Sequence, residues 1–167
     1  HHDNAFALIS RVESAVERSG ADPDTLFAKL DFIVERQPGW LVPRVSRRKN
    51  HLGFPQLNGA IDGYSTTGNV LRSGRKTAAF IDEYAAFDEQ EGYAVNAATS
   101  GAADCRIMCS TFLGPSGAFY DQSLRDDIEI FSWHWTRHPE KKKGLYYDAA
   151  GKARSPAYDL KCRELIL

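Results

Sequence analysis

Two acidic residues directly follow a short apolar run near the middle of the chain. The run from Thr77 to Ile81 has the composition of a strand buried on both faces, and Asp82 and Glu83 come at its carboxyl end, where parallel sheets build their sites. In a nucleotide-hydrolysing site, the first acid of such a pair helps to hold Mg²⁺ through water and the second polarises the attacking water. Asp82 and Glu83 are candidates for these two roles. The simpler alternative is a pair of solvated acids at a strand end.

A second segment repeats this design downstream. The stretch from Cys105 to Thr111 is an apolar strand pattern that closes in Ser110 and Thr111. Hydroxyl groups at such a strand tip can hydrogen-bond a phosphate or the attacking water and pass a change on to the rest of the molecule; the alternative is a hydrophilic strand end. Residues Glu89 to Ser100 suit a crossover helix between the two strands. The pattern therefore predicts parallel strands in an α/β layer architecture.

The loop before the first strand imitates a phosphate-binding loop but does not fit one. Five residues separate Gly68 from Gly74, and Arg75 stands between Gly74 and Lys76, whereas a P-loop has four residues there and a Gly-Lys pair. A P-loop also opens a helix, because helix amides meet the phosphates, and Thr77 instead enters the apolar run. The sequence holds no other Gly-Lys-Ser/Thr segment. It therefore contains no Walker A motif.

The order of these motifs resembles that of the large terminase subunit of bacteriophages. A Gly/Arg-rich loop leads into the apolar strand and the Asp82-Glu83-Tyr84-Ala85-Ala86-Phe87 segment, the Ser/Thr-tipped strand follows, and Gly114 to Tyr120 supplies a glycine-containing turn and aromatic residues. The resemblance extends over roughly Asp22 to Tyr147. Tyr84 stands where alanine is more usual, which leaves the register of the acids unaffected.

This resemblance implies the fold and the domain. It predicts a partial P-loop NTPase (ASCE/RecA-like) domain, an α/β fold with a largely parallel central sheet flanked by helices. Residues 3–167 are assigned to the Walker B and coupling-motif half of the terminase ATPase domain, and His1 and His2 to the remnant of a purification tag. The family's Walker A motif lies upstream of everything matched, so we expect the chain to begin after the nucleotide cradle and to hydrolyse ATP negligibly by itself.

The resemblance also implies an activity and its partners. The intact parent is expected to use ATP and magnesium to package double-stranded DNA into proheads, in the cytoplasm of a bacterial host. Neither ATP nor magnesium is expected to bind tightly to this chain alone. The expected partners are double-stranded DNA, the small terminase subunit, the portal or prohead, and further copies in a homo-oligomeric ring. Because the clustered acids of the family's nuclease have no counterpart after Thr111, we assign no cleavage activity.

Basic residues lie near the acids and in two further clusters. Arg72 and Arg75 precede the acidic strand and are candidates for stabilising the transferring phosphate charge, in the same or a neighbouring subunit. Two clusters are candidates for tracking a DNA backbone, with solvated loops as the alternative: Arg44, Arg47, Arg48 and Lys49, and then Arg137, Lys141, Lys142 and Lys143. Trp133 and Trp135 offer stacking faces, although tryptophans two positions apart more often fill a core.

Composition restricts the alternatives. Hydrophobic residues make up 43% of the 167 residues and charged residues 26%, with a net charge of -1, as in an ordinary globular domain without a global nucleic-acid signal. No apolar run approaches the roughly 20 residues of a membrane helix. The three cysteines suit a reducing compartment. A zinc site of Cys105, Cys109, His134 and His138 is rejected, because strand positions four apart lie roughly 13 Å from each other.

Two other interpretations remain open on the sequence. One is a helicase-like P-loop motor fragment, since Asp-Glu strands and Ser/Thr-tipped strands occur in that class too. The other is a non-catalytic remnant that keeps the fold and binds DNA or a packaging partner through its basic loops.

Local patterns predict the remaining elements. Helical spacing of apolar residues predicts one helix from Asn4 to Ser19, stopped by Gly20, and a second from Asp22 to Pro38. Asn58-Gly59 predicts a hairpin turn, and the Gly/Ser/Thr-rich stretch from Tyr64 to Arg75 an exposed loop. A third strand is expected from Ile128 to Trp135, and a last helix from Ala157 to Leu167.

Overall fold

A computed structural model describes residues 4–18, 22–66, 70–71 and 74–166. It divides into two compact units, the first extending to Asp126 and the second beginning at Asp127. The predictions for residues 1–2, for the Gly20 stop and for Arg72 lie outside the described residues. The described residues contain no helix that is both long and apolar enough to cross a membrane.

The first unit is built on a six-stranded mixed sheet in the order β2-β3-β4-β1-β5-β6. Its strands are β1 (Asn4–Ser10), β2 (Ser46–Arg48), β3 (His51–Phe54), β4 (Gly59–Ser65), β5 (Lys76–Asp82) and β6 (Ala103–Cys109). Strands β4, β1, β5 and β6 are parallel, and β2 and β3 are antiparallel. The helices are α1 (Glu13–Val16), α2 (Leu26–Glu35), α3 (Glu89–Ala102) and α4 (Ala118–Ser123). The predicted largely parallel α/β sheet with flanking helices is confirmed.

Both faces of the sheet are covered, as a parallel sheet requires. Ala7 and Ile9 of β1 belong to a buried cluster with Val95 of α3. Leu8, which points the other way, packs against a second cluster that contains Phe27 of α2 and Leu52 of β3. The crossover from β5 through α3 to β6 is the one predicted from the sequence, and it brings the ends of the two motif-bearing strands together.

The predicted helix from Asn4 to Ser19 is wrong, because Asn4–Ser10 forms β1. This strand pairs in parallel with β4 on one side and β5 on the other. A run as apolar as Ala5 to Ile9 is compatible with a helix or with a buried strand, and the two neighbouring strands decide the outcome. Among the described residues of this region, only the four residues Glu13–Val16 are helical.

The predictions for α2, for the turn between β3 and β4 and for the loop after β4 agree better with the structure. Helix α2 begins later than expected, at Leu26, because the side chain of Thr25 and not Asp22 accepts the capping hydrogen bond from Ala28 N. The hairpin turn at Asn58-Gly59 is confirmed, and Asn58 adopts the left-handed backbone with φ 47°. The predicted exposed loop from Tyr64 to Arg75 is wrong in part: β4 continues to Ser65, and Val70 and Leu71 are buried.

The second unit contains a short hairpin and a helix. Strands β7 (Tyr146–Tyr147) and β8 (Ala153–Arg154) pair in antiparallel fashion, and α5 (Pro156–Ile166) confirms the predicted last helix. The strand expected from Ile128 to Trp135 is wrong: residues 128–134 have no helix or strand, Trp135 begins a 3-10 turn, and the described residues contain no partner strand for this stretch. Trp133 is exposed instead of filling a core, whereas Trp135 stacks on Tyr158 at 4.9 Å between ring centroids.

Candidate active site

The structure brings four predicted site residues to one edge of the sheet. Strands β5 and β6 are parallel and in register, with Asp82 opposite Cys109, so Glu83 on one strand end and Ser110 and Thr111 on the other leave the sheet side by side. Asp82 is half-buried, while Glu83 and Thr111 are exposed. This is the carboxyl edge, where parallel sheets bind their ligands.

The backbone at Glu83 is in an uncommon conformation. Its φ of 52° and ψ of 34° place it in the left-handed region, which costs a non-glycine residue about 1–3 kcal/mol and persists only where the surroundings enforce it. A single 3-10 turn, Tyr84–Ala86, follows, and Ala86 N donates to Glu83 O at 2.8 Å. The chain therefore turns sharply at Glu83 and leaves its carboxylate at the strand tip.

Tyr84 anchors this turn to the helices beside it. The residue is 1% exposed, and its hydroxyl donates to the carbonyl of Gly92 on α3 at 2.9 Å. Its ring makes edge contacts with Phe87 and with Phe119 of α4, at 5.3 and 6.0 Å between centroids. Burial raises the pKa of Tyr84 to about 12, so the hydroxyl stays a donor. In the sequence, Tyr84 stands out only as a departure from the usual alanine, and the signal of its anchoring role is a large aromatic residue directly after two acids.

Ser110 is engaged by the same turn. Its Oγ accepts a hydrogen bond from Ala85 N at 3.0 Å and donates to the carbonyl of Thr111 at 3.3 Å. Thr111 is exposed, and its hydroxyl has no hydrogen-bond partner within the part of the chain that the structure describes. The two predicted hydroxyl residues are thus adjacent but in different environments.

A cavity of about 140 Å³ opens beside this turn. It is lined by residues of the turn, of the glycine-containing segment and of α4, among them Ala85, Phe112, Gly114 and Tyr120. Ligand pockets usually enclose roughly 300–1,000 Å³, so this cavity is too small for a nucleotide. A larger groove of about 720 Å³ lies along α2, and Arg47 is the one predicted site residue among the described residues that line it.

Lys76, which follows the loop that does not fit the P-loop pattern, forms an ion pair within the fold. Lys76 opens β5 with its side chain 7% exposed, and Nζ donates to Asp62 Oδ2 at 2.7 Å. The other Asp62 oxygen lies 2.7 Å from Nδ1 of His51. Burial, the largest single influence, would lower the pKa of Lys76, but the hydrogen bonds and charges of Asp62 and Tyr64 together outweigh it and raise that pKa. Arg75, just before it, is exposed and follows Gly74 with φ 81°.

The basic residues differ in how far they are already paired. Arg47 is held by Glu17 at 2.8 Å and Asp31 at 2.9 Å, and Lys49 pairs with Glu13 at 2.6 Å. In the second unit, Lys143 pairs with Glu140 at 2.6 Å. The remaining candidates are exposed, and no described residue forms an ion pair with them: Arg44, Arg48, Arg137, Lys141 and Lys142.

Comparison with known proteins supports the fold alone. No family model and no curated protein matches the sequence. Two solved structures of the large terminase from a thermophilic bacteriophage are similar. Crystal form 2 has a TM-score of 0.50 and 16% identity, covering 73% of this chain and 30% of that one. The ADP complex in crystal form 3 has a TM-score of 0.40 and 17% identity, covering 65% and 26%.

The fold is therefore similar to that of a large terminase, an α/β fold with a mostly parallel sheet and flanking helices. The chain spans less than a third of the length of the terminase structures it matches.

Proposed function

We propose that this chain is part of the ATP-hydrolysing motor of a phage large terminase, the part that carries the catalytic acids. The observation that carries the proposal is the strand end itself: Asp82 and Glu83 leave β5 beside Ser110 and Thr111 of β6, with Glu83 in a left-handed turn. Strain of this kind gathers at functional sites. The terminase-like fold supports the same assignment.

Three of these side chains, those of Asp82, Glu83 and Thr111, are proposed to carry the chemistry. Asp82 would hold magnesium, and Glu83 would polarise the attacking water. Carboxylate and hydroxyl oxygens are the hard ligands that Mg²⁺ prefers, so the donor set at this edge fits that ion. When bound, the ion neutralises charge on the phosphate oxygens. Thr111 is placed to hydrogen-bond a phosphate or the attacking water, because its hydroxyl is exposed.

The phosphate-binding half of the site is supplied from outside this sequence. No Walker A motif occurs in the 167 residues, and the cavity of about 140 Å³ beside the Glu83 turn is too small for ATP. The chain alone is therefore proposed to bind ATP and magnesium weakly and to hydrolyse ATP negligibly. Arg75, exposed just ahead of β5, is proposed to stabilise phosphate charge in this subunit or its neighbour in a ring.

Double-stranded DNA is the proposed polymer partner. Five exposed cations that no described residue pairs with are proposed to meet its phosphates: Arg44, Arg48, Arg137, Lys141 and Lys142. Arg47 is assigned a structural role, because Glu17 and Asp31 already hold its guanidinium. The small terminase subunit, the portal or prohead and the bacterial cytoplasm follow from the terminase assignment.

The test extends the polypeptide upstream in its reading frame and measures ATP hydrolysis with and without double-stranded DNA. We expect a Walker A motif upstream, and hydrolysis that DNA stimulates and that Glu83→Gln reduces about 10²- to 10⁴-fold. Glu89→Gln is the matched control, because Glu89 is an exposed carboxylate in the first turn of α3.

Three results would contradict the proposal. A helicase-type nucleotide pocket upstream favours the helicase-like motor. DNA binding that depends on salt but is unchanged by ATP and by Asp82→Asn would favour the interpretation as a non-catalytic remnant. If Glu83→Gln and Glu89→Gln reduce the rate of ATP hydrolysis equally, Glu83 has no special role in catalysis.

A further inference from the structure

We propose that Ser110 is a positioning residue, which fixes the backbone turn that carries Glu83 and does not itself contact phosphate. The inference rests on the proposed function and assigns different roles to the two hydroxyl residues of the β6 tip. It starts from the hydrogen bond in which Ala85 N donates to Ser110 Oγ at 3.0 Å.

The hydrogen bond from Ala85 N to Ser110 Oγ replaces the side-chain cap that the 3-10 turn Tyr84–Ala86 lacks. The first amides of a helical turn have no partner within the turn, and the side chain of the N-cap residue usually accepts from one of them. Here the N-cap is Glu83, and its side chain makes no capping hydrogen bond. Ser110, 25 residues further along the chain, accepts from Ala85 instead. The Glu83 carboxylate is therefore left available for chemistry.

The bond also ties the turn to the neighbouring strand. The backbone–backbone hydrogen bonds of the turn are local, from Ala86 N to Glu83 O at 2.8 Å and from Phe87 N to Tyr84 O at 3.3 Å. Tyr84 fastens the turn to α3 through Gly92. Ser110 fastens it to β6. The left-handed backbone at Glu83 is thus held from two sides, as a strained residue requires.

Thr111, and not Ser110, is the residue proposed to contact the phosphate or the attacking water. The Ser110 hydroxyl already accepts from Ala85 and donates to the carbonyl of Thr111. A phosphate would have to replace at least one of these bonds, whereas the exposed Thr111 hydroxyl has no partner within the described residues. A movement of the β6 tip would consequently reach Glu83 through the backbone at Ala85.

Amide hydrogen exchange of the ¹⁵N-labelled chain tests the contact without any need for hydrolysis. We expect Ser110→Ala to reduce protection of the Ala85 amide about tenfold, because its acceptor is lost, while the amide of Ile81 in β5 keeps its protection. Ser110→Thr keeps a hydroxyl and should restore protection. Thr111→Ala should leave Ala85 protected. Unchanged protection of Ala85 in Ser110→Ala would overturn the inference.

Hydrolysis by the upstream-extended polypeptide tests the positioning role. We expect Ser110→Ala to lower kcat about 10²-fold through misplacement of Glu83, with KM for ATP little changed and kcat largely restored in Ser110→Thr. Loss of Ala85 protection without loss of kcat would overturn the positioning role. Absence of hydrolysis in every variant, with the exchange results as expected, would support the contact and overturn the proposed function.

Discussion

At the residue scale, the first unit holds its half-buried charges in paired groups. Asp62 accepts from Lys76 and pairs with His51, each at 2.7 Å, and so links β3, β4 and β5. The lysine is almost fully enclosed, with 7% of its side chain exposed. A buried charge without its partner is costly, so the integrity of this group depends on the carboxylate.

Removing the Asp62 charge tests this dependence. We expect Asp62→Asn to lower the free energy of unfolding by about 2 kcal/mol, because Lys76 loses a charged hydrogen-bond partner. Lys76→Met on the same background removes the orphaned charge and should recover part of the loss. Urea denaturation measures both. A change within about 0.5 kcal/mol in Asp62→Asn would show that the pair is not stabilising.

The same group predicts a pH dependence. Burial, the largest single influence, would raise the pKa of Asp62, but the hydrogen bonds and the charges of Lys76 and His51 together outweigh it and lower that pKa. A lowered carboxyl pKa contributes stability that is present above the unfolded value of about 3.9 and is lost as pH falls through the folded pKa. Below about pH 4, the native chain should therefore lose stability more steeply than Asp62→Asn. Parallel stability curves from urea titrations at each pH would refute this.

Side-chain types at the site could be predicted from the sequence, but their backbone setting could not. Asp82 and Glu83 after an apolar run, and Ser110 and Thr111 after another, identify a strand edge because strand ends carry sites. The left-handed φ of Glu83 and the bond from Ala85 to Ser110 depend on contacts between β5, α3 and β6. Such contacts join residues distant in sequence, so no local pattern encodes them.

At the element scale, close packing beneath the first two helices fixes the sheet. Gly63 lies in the middle of β4, and a Cβ there would come 2.4 Å from Val16 Cγ1 and 2.6 Å from Phe27 Cε2. The helices α1 and α2 can approach only because this position has no side chain. In the sequence, Gly63 lies next to the predicted loop from Tyr64 to Arg75, and no local pattern indicates this contact, because tertiary packing and not local propensity requires the glycine.

Filling that space should destabilise the fold. We expect Gly63→Ala to cost about 1–3 kcal/mol in the free energy of unfolding, since a well-packed core resists added volume. Gly101→Ala in α3 is the matched control: nothing lies within 4 Å of a Cβ there, and alanine favours a helix over glycine by roughly 0.5–1 kcal/mol. Chemical denaturation compares the two. Gly63→Ala as stable as the native chain would contradict the packing.

The helix mistakenly predicted at β1 illustrates the limit at this scale. The crossover helix α3 and both motif-bearing strands were predictable, since each has its own pattern and lies between clear breaks. Strand β1 was not, because the apolar run at Ala5 to Ile9 suits a helix as well as a buried strand. Its neighbours β4 and β5, which lie more than 50 residues away, decide between them.

At the scale of the whole molecule, both units take part in the proposed function, and Arg44 and Arg48 of the first unit are also candidate DNA contacts. The first holds the acids, and the second, from Asp127 onward, holds the basic segment of Arg137, Lys141 and Lys142. Exposed aromatic residues, Phe131 and Trp133, lie in the same unit. Because the net charge of the whole chain is -1, it does not indicate a nucleic-acid partner. The local clusters of basic residues are what identify the candidate DNA contacts.

Charge reversal tests the DNA contact. Lys141→Glu with Lys142→Glu should weaken binding of the chain to double-stranded DNA and reduce the slope of log K against log salt by about 1.8, since each phosphate contact contributes about 0.9. Lys152→Glu with Lys161→Glu is a control of equal charge change in the same unit, and Lys161 already pairs with Glu164. Fluorescence anisotropy at several salt concentrations gives the slopes. Equal slopes for the two double variants would show that Lys141 and Lys142 make no specific contact with the DNA phosphates.

Turnover of ATP with magnesium, compared between the 167-residue chain and the same chain extended upstream through a Walker A motif, tests the catalytic acids most directly. We expect the extended polypeptide to hydrolyse ATP and to lose at least about 10²-fold of its rate in Glu83→Gln. The shorter chain should show no turnover above that of its own Glu83→Gln variant. Turnover by the shorter chain that Glu83→Gln abolishes, or turnover by the extended polypeptide that survives this substitution, would contradict the assignment.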